Sequence, residues 1–285
     1  MAQALEHAWH EGQLKPLADV HISPLDRGYL FGDGIYEVMP VYDGKPLGLD
    51  KHLSRLVRSC DEIRLPMGRS GDDIAAALMA VVEANGGGNQ SLYLQLTRVG
   101  VGGRDHRFPD APQTHLFVMS NRLAPIDAEA YANGLSAIVL PDQRWARCDI
   151  KSTSLLPNVL AKQLASEAGA AEAILERDGE LIEGATSAVG CVTGGTLALP
   201  VEDARVLPSV TRALTVEVAD RRGVPVETRR VDMDEFRAAD EILVMSSTRE
   251  IMPISVLDGT RVGDGKAGPV WRTLFAGYQE LKADA

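Results

Sequence analysis

The sequence predicts an α+β protein built from two mixed domains, and three observations carry that prediction. Strand-like runs lead helix-like runs in each half of the 285-residue chain, without the regular alternation that makes a doubly wound parallel sheet. Hairpin dipeptides recur at Asp43-Gly44, Asp178-Gly179 and Gly194-Gly195, and such pairs accept the positive φ of a tight turn. Apolar residues also change their spacing, from every second position to every third and fourth.

Taken in order, "AWHEGQLKPL" and "YEVMPVYDGKPLGL" read as strand pairs around glycines. Helical spacing follows at Leu53, Leu56, Val57, Cys60 and Ile63, and again at Ile74, Leu78, Val81 and Val82. The cluster Gly86-Gly87-Gly88-Asn89 ends the second helix. "SLYLQLTRV" and "THLFVMS" then read as strands around the loop "GVGGRDHRFPDAPQ". These elements close a smaller N-terminal domain over residues 1–120, with "NRLAPID" at 121–127 as the linker and a larger C-terminal domain over 128–285. In that second domain Thr211 to Arg222 reads as a helix ended by Gly223, and "EILVMSS" as a buried strand. Pro269 to Lys282 reads as a last helix carrying Val270, Leu274 and Tyr278 at intervals of four.

Composition removes several classes of function. The chain is 45% hydrophobic and 24% charged, ordinary values for a globular protein, so a sizeable core is within reach. A formal charge of −11 and a pI near 5.1 argue against a sequence-independent grip on nucleic acid and against an anionic membrane surface. Cys60, Cys148 and Cys191 are too far apart to form a metal-binding or redox pair, and they read as reduced structural residues. No leader pattern and no run of eighteen apolar residues is present, which makes the cytoplasm the expected location.

Among residues that can carry chemistry, Lys151 stands between the strand-like "CDI" and the helix-like "LLPNVLAKQ". A lysine at a strand end, partly desolvated, becomes an amine nucleophile; the ordinary alternative is a surface charge. Glu183 lies in "LIEGATS", where Gly184 permits a tight turn and Thr186 and Ser187 offer donors. A carboxylate beside a heteroaromatic nitrogen keeps that nitrogen protonated, although an isolated glutamate of this kind is a loop residue. "PSVTR" resembles a helix N-terminus able to take a phosphate, or a plain cap. Arg55 is either a phosphate ligand or a surface charge. "MSSTRE", from Ser246, is a polar wall or a strand-end turn. In "GGRDHRFP", an extended loop would put Arg104 and His106 on one side toward a carboxylate and Asp105 on the other, or the loop is simply solvated. No metal site, no dinucleotide fingerprint and no Gly-x-Ser-x-Gly elbow appears.

The order of these stretches resembles that of the fold type IV pyridoxal-phosphate enzymes, and most closely the D-amino acid transaminases. The resemblance rests on "DRGYLFGDGIYEV", "HLSRL", "GGRDHRFP", "RCDIKSTSLLPNVLAKQ", "EAILERDGELIEGATSAV", "LPSVTR" and "LVMSSTREIMPI", together spanning residues 26 to 257. It implies two α/β domains with the active site at their interface, the larger of them binding pyridoxal 5′-phosphate. Lys151 is then the Schiff-base lysine and proton shuttle, and Glu183 the partner of the pyridine nitrogen. Arg55, Val210, Thr211 and Ser247 become phosphate ligands, with Thr186, Ser187 and Ser246 also on the cofactor and Leu207 against its ring. Tyr36, Arg104 and His106 would hold the substrate carboxylate, the last two supplied by the other subunit of a homodimer. One departure is that Ala185, Thr186 and Ser187 stand where the family often has three serines, which leaves Ala185 without a side-chain donor.

The activity so implied is ping-pong transfer of an amino group from a D-alanine-type donor to a 2-oxoglutarate-type acceptor. The alternatives are a branched-chain L-amino acid or (R)-amine transaminase on the same fold, and an aminodeoxychorismate lyase. A non-catalytic binding protein is the remaining class.

Overall fold

The computed structural model describes residues 3–100 and 102–284. The described chain divides into two compact units, one running through Ala124 with Ile150–Ser154 added, the other made of Pro125–Asp149 and Leu155–Asp284.

The first unit begins with β1 (Ala4–His10), β2 (Gln13–Pro16), a 3-10 turn at Leu17–Asp19 and a short helix α1 (Arg27–Phe31). β3 (Gly34–Tyr42), β4 (Lys45–Pro46), α2 (Leu49–Glu62), α3 (Gly71–Ala84), β5 (Gln90–Arg98) and β6 (Thr114–Arg122) follow. The strands form an antiparallel six-stranded sheet in the order β2-β1-β6-β5-β3-β4. Asp43 and Gly44 turn the β3–β4 hairpin with φ of 49° and 83°, as their sequence predicts. In the register, Tyr36 lies opposite Gln95 and Leu94 opposite Val118.

α2 and α3 supply the other half of this unit's core. Ile74, Leu78, Val81 and Val82 recur at helical spacing on α3 and are all fully buried, against Ile35, Met39, Leu92, Leu94, Leu96 and Leu116 of the sheet. Each side chain so buried stabilises the unit by roughly 1.5–3 kcal/mol. Ser70 starts α3 with a capping box, its hydroxyl accepting from the Asp73 N–H while the Asp73 carboxylate accepts from the Ser70 N–H. The apolar stripe of α2 is narrower than its spacing predicts: Leu56 and Cys60 are buried, but Val57 is 42% exposed.

The second unit contains α4 (Ala128–Asn133), β7 (Leu135–Pro141), α5 (Leu156–Glu167), β8 (Glu172–Arg177), β9 (Glu180–Gly184), β10 (Ala188–Thr193) and β11 (Thr196–Leu199). It continues with α6 (Val210–Arg222), β12 (Val226–Thr228), α7 (Met233–Arg237), β13 (Glu241–Ser246), β14 (Glu250–Leu257), β15 (Thr260–Arg261) and α8 (Pro269–Ala283). Its nine-stranded sheet runs β12-β11-β10-β13-β14-β7-β8-β9, with β15 added beside β14. Asp178-Gly179 and Gly194-Gly195 turn the β8–β9 and β10–β11 hairpins. Gly223, at φ 68°, ends α6 by accepting the left-handed conformation.

The class is α+β, yet two βαβ units are present among the described residues: β7 and β8 pair in parallel with α5 between them in the chain, and β11 and β12 with α6 between them. β7 also pairs in parallel with β14. α5 packs through small residues, Ala161 and Ala165, against Ala173, Leu175 and Ala185. Leu156, Val159, Leu160 and Leu164 of α5 are exposed. No helix among the described residues is long and apolar enough to cross a membrane.

Candidate active site

Lys151 is tied into the first unit by its backbone. The Tyr36 N–H donates to the Lys151 carbonyl at 3.0 Å and the Thr153 N–H to the Gly34 carbonyl at 2.9 Å, and Ile35 and Ser152 form an isolated antiparallel bridge. Residues 148–150 form a turn and a bend rather than the strand expected there. The order that a strand would give Lys151 comes instead from the start of β3. Gly32 makes that approach possible: it sits at φ 66°, and a Cβ there would meet the Ser154 hydroxyl at 2.5 Å.

The half-buried Lys151 places Nζ 4.1 Å from the centre of the Tyr36 ring, an ammonium over a π face, and Tyr36 in turn stacks on Tyr93 with centroids 5.8 Å apart. Beneath them lies a buried charge cluster. Arg55 Nε and Nη2 each donate to Glu37 at 2.7 Å, and His52 Nδ1 approaches the same carboxylate at 2.8 Å. Arg55 is therefore no surface charge. Burial alone would raise the Glu37 carboxyl, but the Arg55 guanidinium and the hydrogen bonds from Arg55 and His52 outweigh it and hold the group at about 2. Burial pushes His52 below its ordinary value, and the Glu37 carboxylate resists that shift.

The Arg104–His106 loop is not extended, so strand alternation does not orient it. Asp105 instead accepts from the Arg107 N–H at 3.0 Å and from its guanidinium, making a local turn. Arg104 and His106 still meet on one surface, because the Arg104 guanidinium lies 5.0 Å from the Phe31 ring centre and the His106 ring lies 5.0 Å from the same ring.

In the second unit, Glu183 on β9 is buried with one oxygen paired to Arg144 Nη1 and the other accepting from the Leu207 N–H at 3.1 Å. Burial raises its carboxyl above the ordinary value, and Arg144 and the Leu207 N–H work against that rise. Arg144 is itself fixed by two bonds to Asp142, Nε to Oδ1 at 2.8 Å and Nη2 to Oδ2 at 2.9 Å.

The turn after Glu183 rests on a second buried carboxylate. Thr186 and Ser187 donate to Glu172 at 3.2 and 3.0 Å, and Arg249 pairs with Glu172 while also donating to Thr186. Ala185, standing in a serine's expected place, is locked by its backbone, donating to Ala173 and accepting from the Asn158 amide at 2.8 Å. α6 opens at Val210-Thr211 behind Ser209, whose hydroxyl accepts from the Arg212 N–H. Such a helix start favours an anion. Ser246, at the end of β13, buries its hydroxyl with no hydrogen-bond partner among the described residues, and Ser247 follows in the turn. No three His, Cys, Asp or Glu among the described residues are grouped to hold a metal ion.

Glu37, His52, Arg144, Asp142, Glu172 and Arg249 were not singled out by sequence reasoning. Local spacing does hint at two of them, since Arg144 stands two residues after Asp142 and His52 three before Arg55.

Comparison with known proteins places this arrangement in a family. Residues 34–257 match the model of amino-transferase class IV. The chain belongs to that family. It is 38% identical over 263 residues to a D-alanine aminotransferase of Listeria innocua, covering 92% of this chain and 91% of the relative. It is 35% identical to a D-alanine aminotransferase of Staphylococcus haemolyticus, covering 92% and 93%. Among solved structures, the branched-chain amino acid aminotransferase of Escherichia coli superposes with a TM-score of 0.89 at 23% identity, over 97% of this chain and 94% of the other. The branched-chain amino acid aminotransferase of Thermobaculum terrenum in its PLP-form gives 0.86 at 22%, over 99% and 96%. At that identity the class IV chain shares a fold with the branched-chain enzymes, and the D-alanine relatives are the more similar in sequence.

Proposed function

We propose that this class IV aminotransferase uses pyridoxal 5′-phosphate to move the amino group of a D-alanine-type donor to a 2-oxoglutarate-type acceptor. The observation that carries the reading is Lys151, its backbone tied to the start of β3 and its Nζ 4.1 Å from the centre of the Tyr36 ring. Sequence identity to D-alanine aminotransferases supports the choice of donor. A loop with two cationic side chains suits a substrate with a carboxylate, which an amine substrate lacks.

The donor set fits the cofactor. Ser246 brings a buried hydroxyl lacking a partner among the described residues, α6 a helix start and Glu183 a buried carboxylate with an arginine behind it. We assign Arg55, Val210, Thr211, Ser246 and Ser247 to the phosphate side, Thr186 and Ser187 to the turn beside it, and Leu207 to the ring face. When bound, pyridoxal phosphate supplies an aldehyde carbon and a ring that takes up the electron pair left at the substrate Cα.

The chain's own residues do the rest. Lys151 Nζ would hold the cofactor through its aldehyde carbon and, once freed by the substrate amine, would be the base that takes the proton from the substrate Cα and gives it back as an acid. Glu183 would hold a proton at the pyridine nitrogen. Arg144 and the Leu207 N–H keep that carboxylate in place against the cost of burial. Tyr36, Arg104 and His106 hold the substrate carboxylate, which fixes the face on which the α-hydrogen meets Lys151.

The proposal includes a homodimer in which Arg104 and His106 serve the partner's site. The exposed apolar row Leu156, Val159, Leu160 and Leu164 on α5 supports burial of that helix face in an assembly. A cytoplasmic setting accords with three buried free thiols.

The test is the absorption spectrum of the purified protein with D-alanine and, separately, with L-alanine or L-leucine. Loss of a visible cofactor band with D-alanine alone is the expected result. Loss with the L-amino acids alone would move the enzyme to the branched-chain type, and no visible band would overturn the cofactor assignment.

A further inference from the structure

We infer that Arg27 is the positioning residue for the carboxylate-binding loop: its buried guanidinium clamps three consecutive loop carbonyls and thereby sets where Arg104 and His106 point. The inference rests on the reading of Arg104 and His106 as substrate ligands.

The loop around Arg104 and His106 has little to hold it. Residues 102–113 form no helix or strand, and Arg104, Asp105, His106 and Arg107 are all exposed. A loop of this kind opens easily, and its side chains lose their directions when it does. Arg27, by contrast, is 6% exposed and sits at the first position of α1. Its Nη1 donates to the carbonyls of Asp105 and Arg107, the latter at 3.2 Å, and its Nη2 donates to the carbonyl of His106 at 3.2 Å. The planar fork of an arginine can serve three acceptors at once, whereas the point charge of a lysine cannot reproduce that geometry.

The clamp is itself fixed. Arg27 Nε donates to Asp33 at 2.8 Å, and Asp33 also accepts from Arg98 Nε at 3.0 Å. The guanidinium of the fully buried Arg98 lies 3.8 Å from the centre of Phe108 and so holds the far side of the same loop. Asp26 caps α1 through the Gly28 and Tyr29 N–H groups and accepts from the Thr97 hydroxyl at 2.9 Å, which anchors the helix carrying Arg27 and Phe31 to β5. Phe31 is the surface on which Arg104 and His106 lie, and it also receives the Arg27 guanidinium at 4.9 Å. One short helix therefore carries both the clamp on the loop's backbone and the platform for its side chains.

The experiment uses the full-length holoenzyme as wild type, Arg27→Lys, Arg104→Ala and the double variant. Asp33 keeps Arg98 in Arg27→Lys, so the exchange does not strip that carboxylate of its pairing. With D-alanine and a saturating oxo acid, Arg27→Lys should raise KM by about tenfold or more while kcat changes less than about twofold, the signature of lost ground-state binding. The double variant should have the KM of Arg104→Ala alone, because a residue acting through Arg104 has nothing further to lose. Tryptic cleavage after Arg104 and Arg107 in the native protein should accelerate by about tenfold in Arg27→Lys, which reads loop opening without any turnover.

An unchanged KM in Arg27→Lys beside a raised KM in Arg104→Ala would overturn the inference and leave the substrate reading intact, as would effects that add in the double variant. An unchanged KM in Arg104→Ala would overturn both. Should Arg27→Lys fail to fold, Phe31→Ala removes the platform instead and must give the same split between KM and kcat.

Discussion

Lowering the pH probes the buried cluster of Glu37, Arg55 and His52 under Lys151 and Tyr36. Glu37 is held at about 2 against an ordinary value of 4.5. A carboxyl whose folded pKa is depressed contributes its stability in full above the unfolded value and loses it as the pH falls toward the folded one. The gap corresponds to about 3 kcal/mol, lost between pH about 4.5 and about 2. His52 is pushed below 6.5 by burial and adds a loss in the same direction that begins near that pH, so the Glu37 component is the steepening below about 4.5. Urea unfolding followed by circular dichroism between pH 7 and pH 3 measures it, with Glu37→Gln as the reference. At neutral pH that variant starts lower by roughly 3–5 kcal/mol, because a buried ion pair has lost its carboxylate, and its profile lacks the acid steepening. Parallel profiles for the two proteins would refute the argument.

Three further outcomes are expected. Lys151→Ala should abolish both the visible cofactor band and turnover, and transamination at the wild-type rate would remove Lys151 from the chemistry. Glu183→Gln should cut kcat by about 100-fold or more, the scale on which one electrostatic partner of a transition state counts. Because burial raises the Glu183 carboxyl above 4.5, the ionised group costs stability increasingly as pH rises past that value; the variant should melt no lower than wild type at pH 7, and a large fall in Tm would contradict this. Leu78→Ala, in a fully buried position on α3, should cost about 2–5 kcal/mol in urea unfolding, and a loss under about 1 kcal/mol would mean that the core collapses around the gap.

The features legible in the sequence were those set by neighbours along the chain. Asp43-Gly44, Asp178-Gly179 and Gly194-Gly195 mark turns because the required φ is a property of those residues, and α3 shows its buried face because four residues spaced along it meet one sheet. β7 left no comparable mark. "LSAIVLP" lies between two parallel neighbours, and all but two of its residues are half-buried whichever face they take, so the run carries no alternation. Lys151 could be singled out but not placed, since its anchor is the start of β3, more than a hundred residues earlier. Glu172 and Arg249 act through partners remote in sequence, and nothing near them distinguishes them from surface charges. Arg27 is the sharpest case: its acceptors in the loop are backbone carbonyls 78 to 80 residues away, and a carbonyl leaves no trace in the identity of the residue that bears it.

Ile150–Ser154 belongs to the first unit although its flanks on both sides belong to the second. Ile150 completes the core of Leu78 and Leu94, and Ser152 pairs with Ile35. During synthesis the N-terminal sheet can therefore gather early, yet it closes only when the ribosome has released the lysine segment. An excised fragment ending at Ala124 would expose apolar surface where Ile150 belongs and would need that peptide returned in trans. The segment that carries Lys151 is thus also a late keystone of the N-terminal unit, and a nascent chain acquires that lysine in the act of completing the unit.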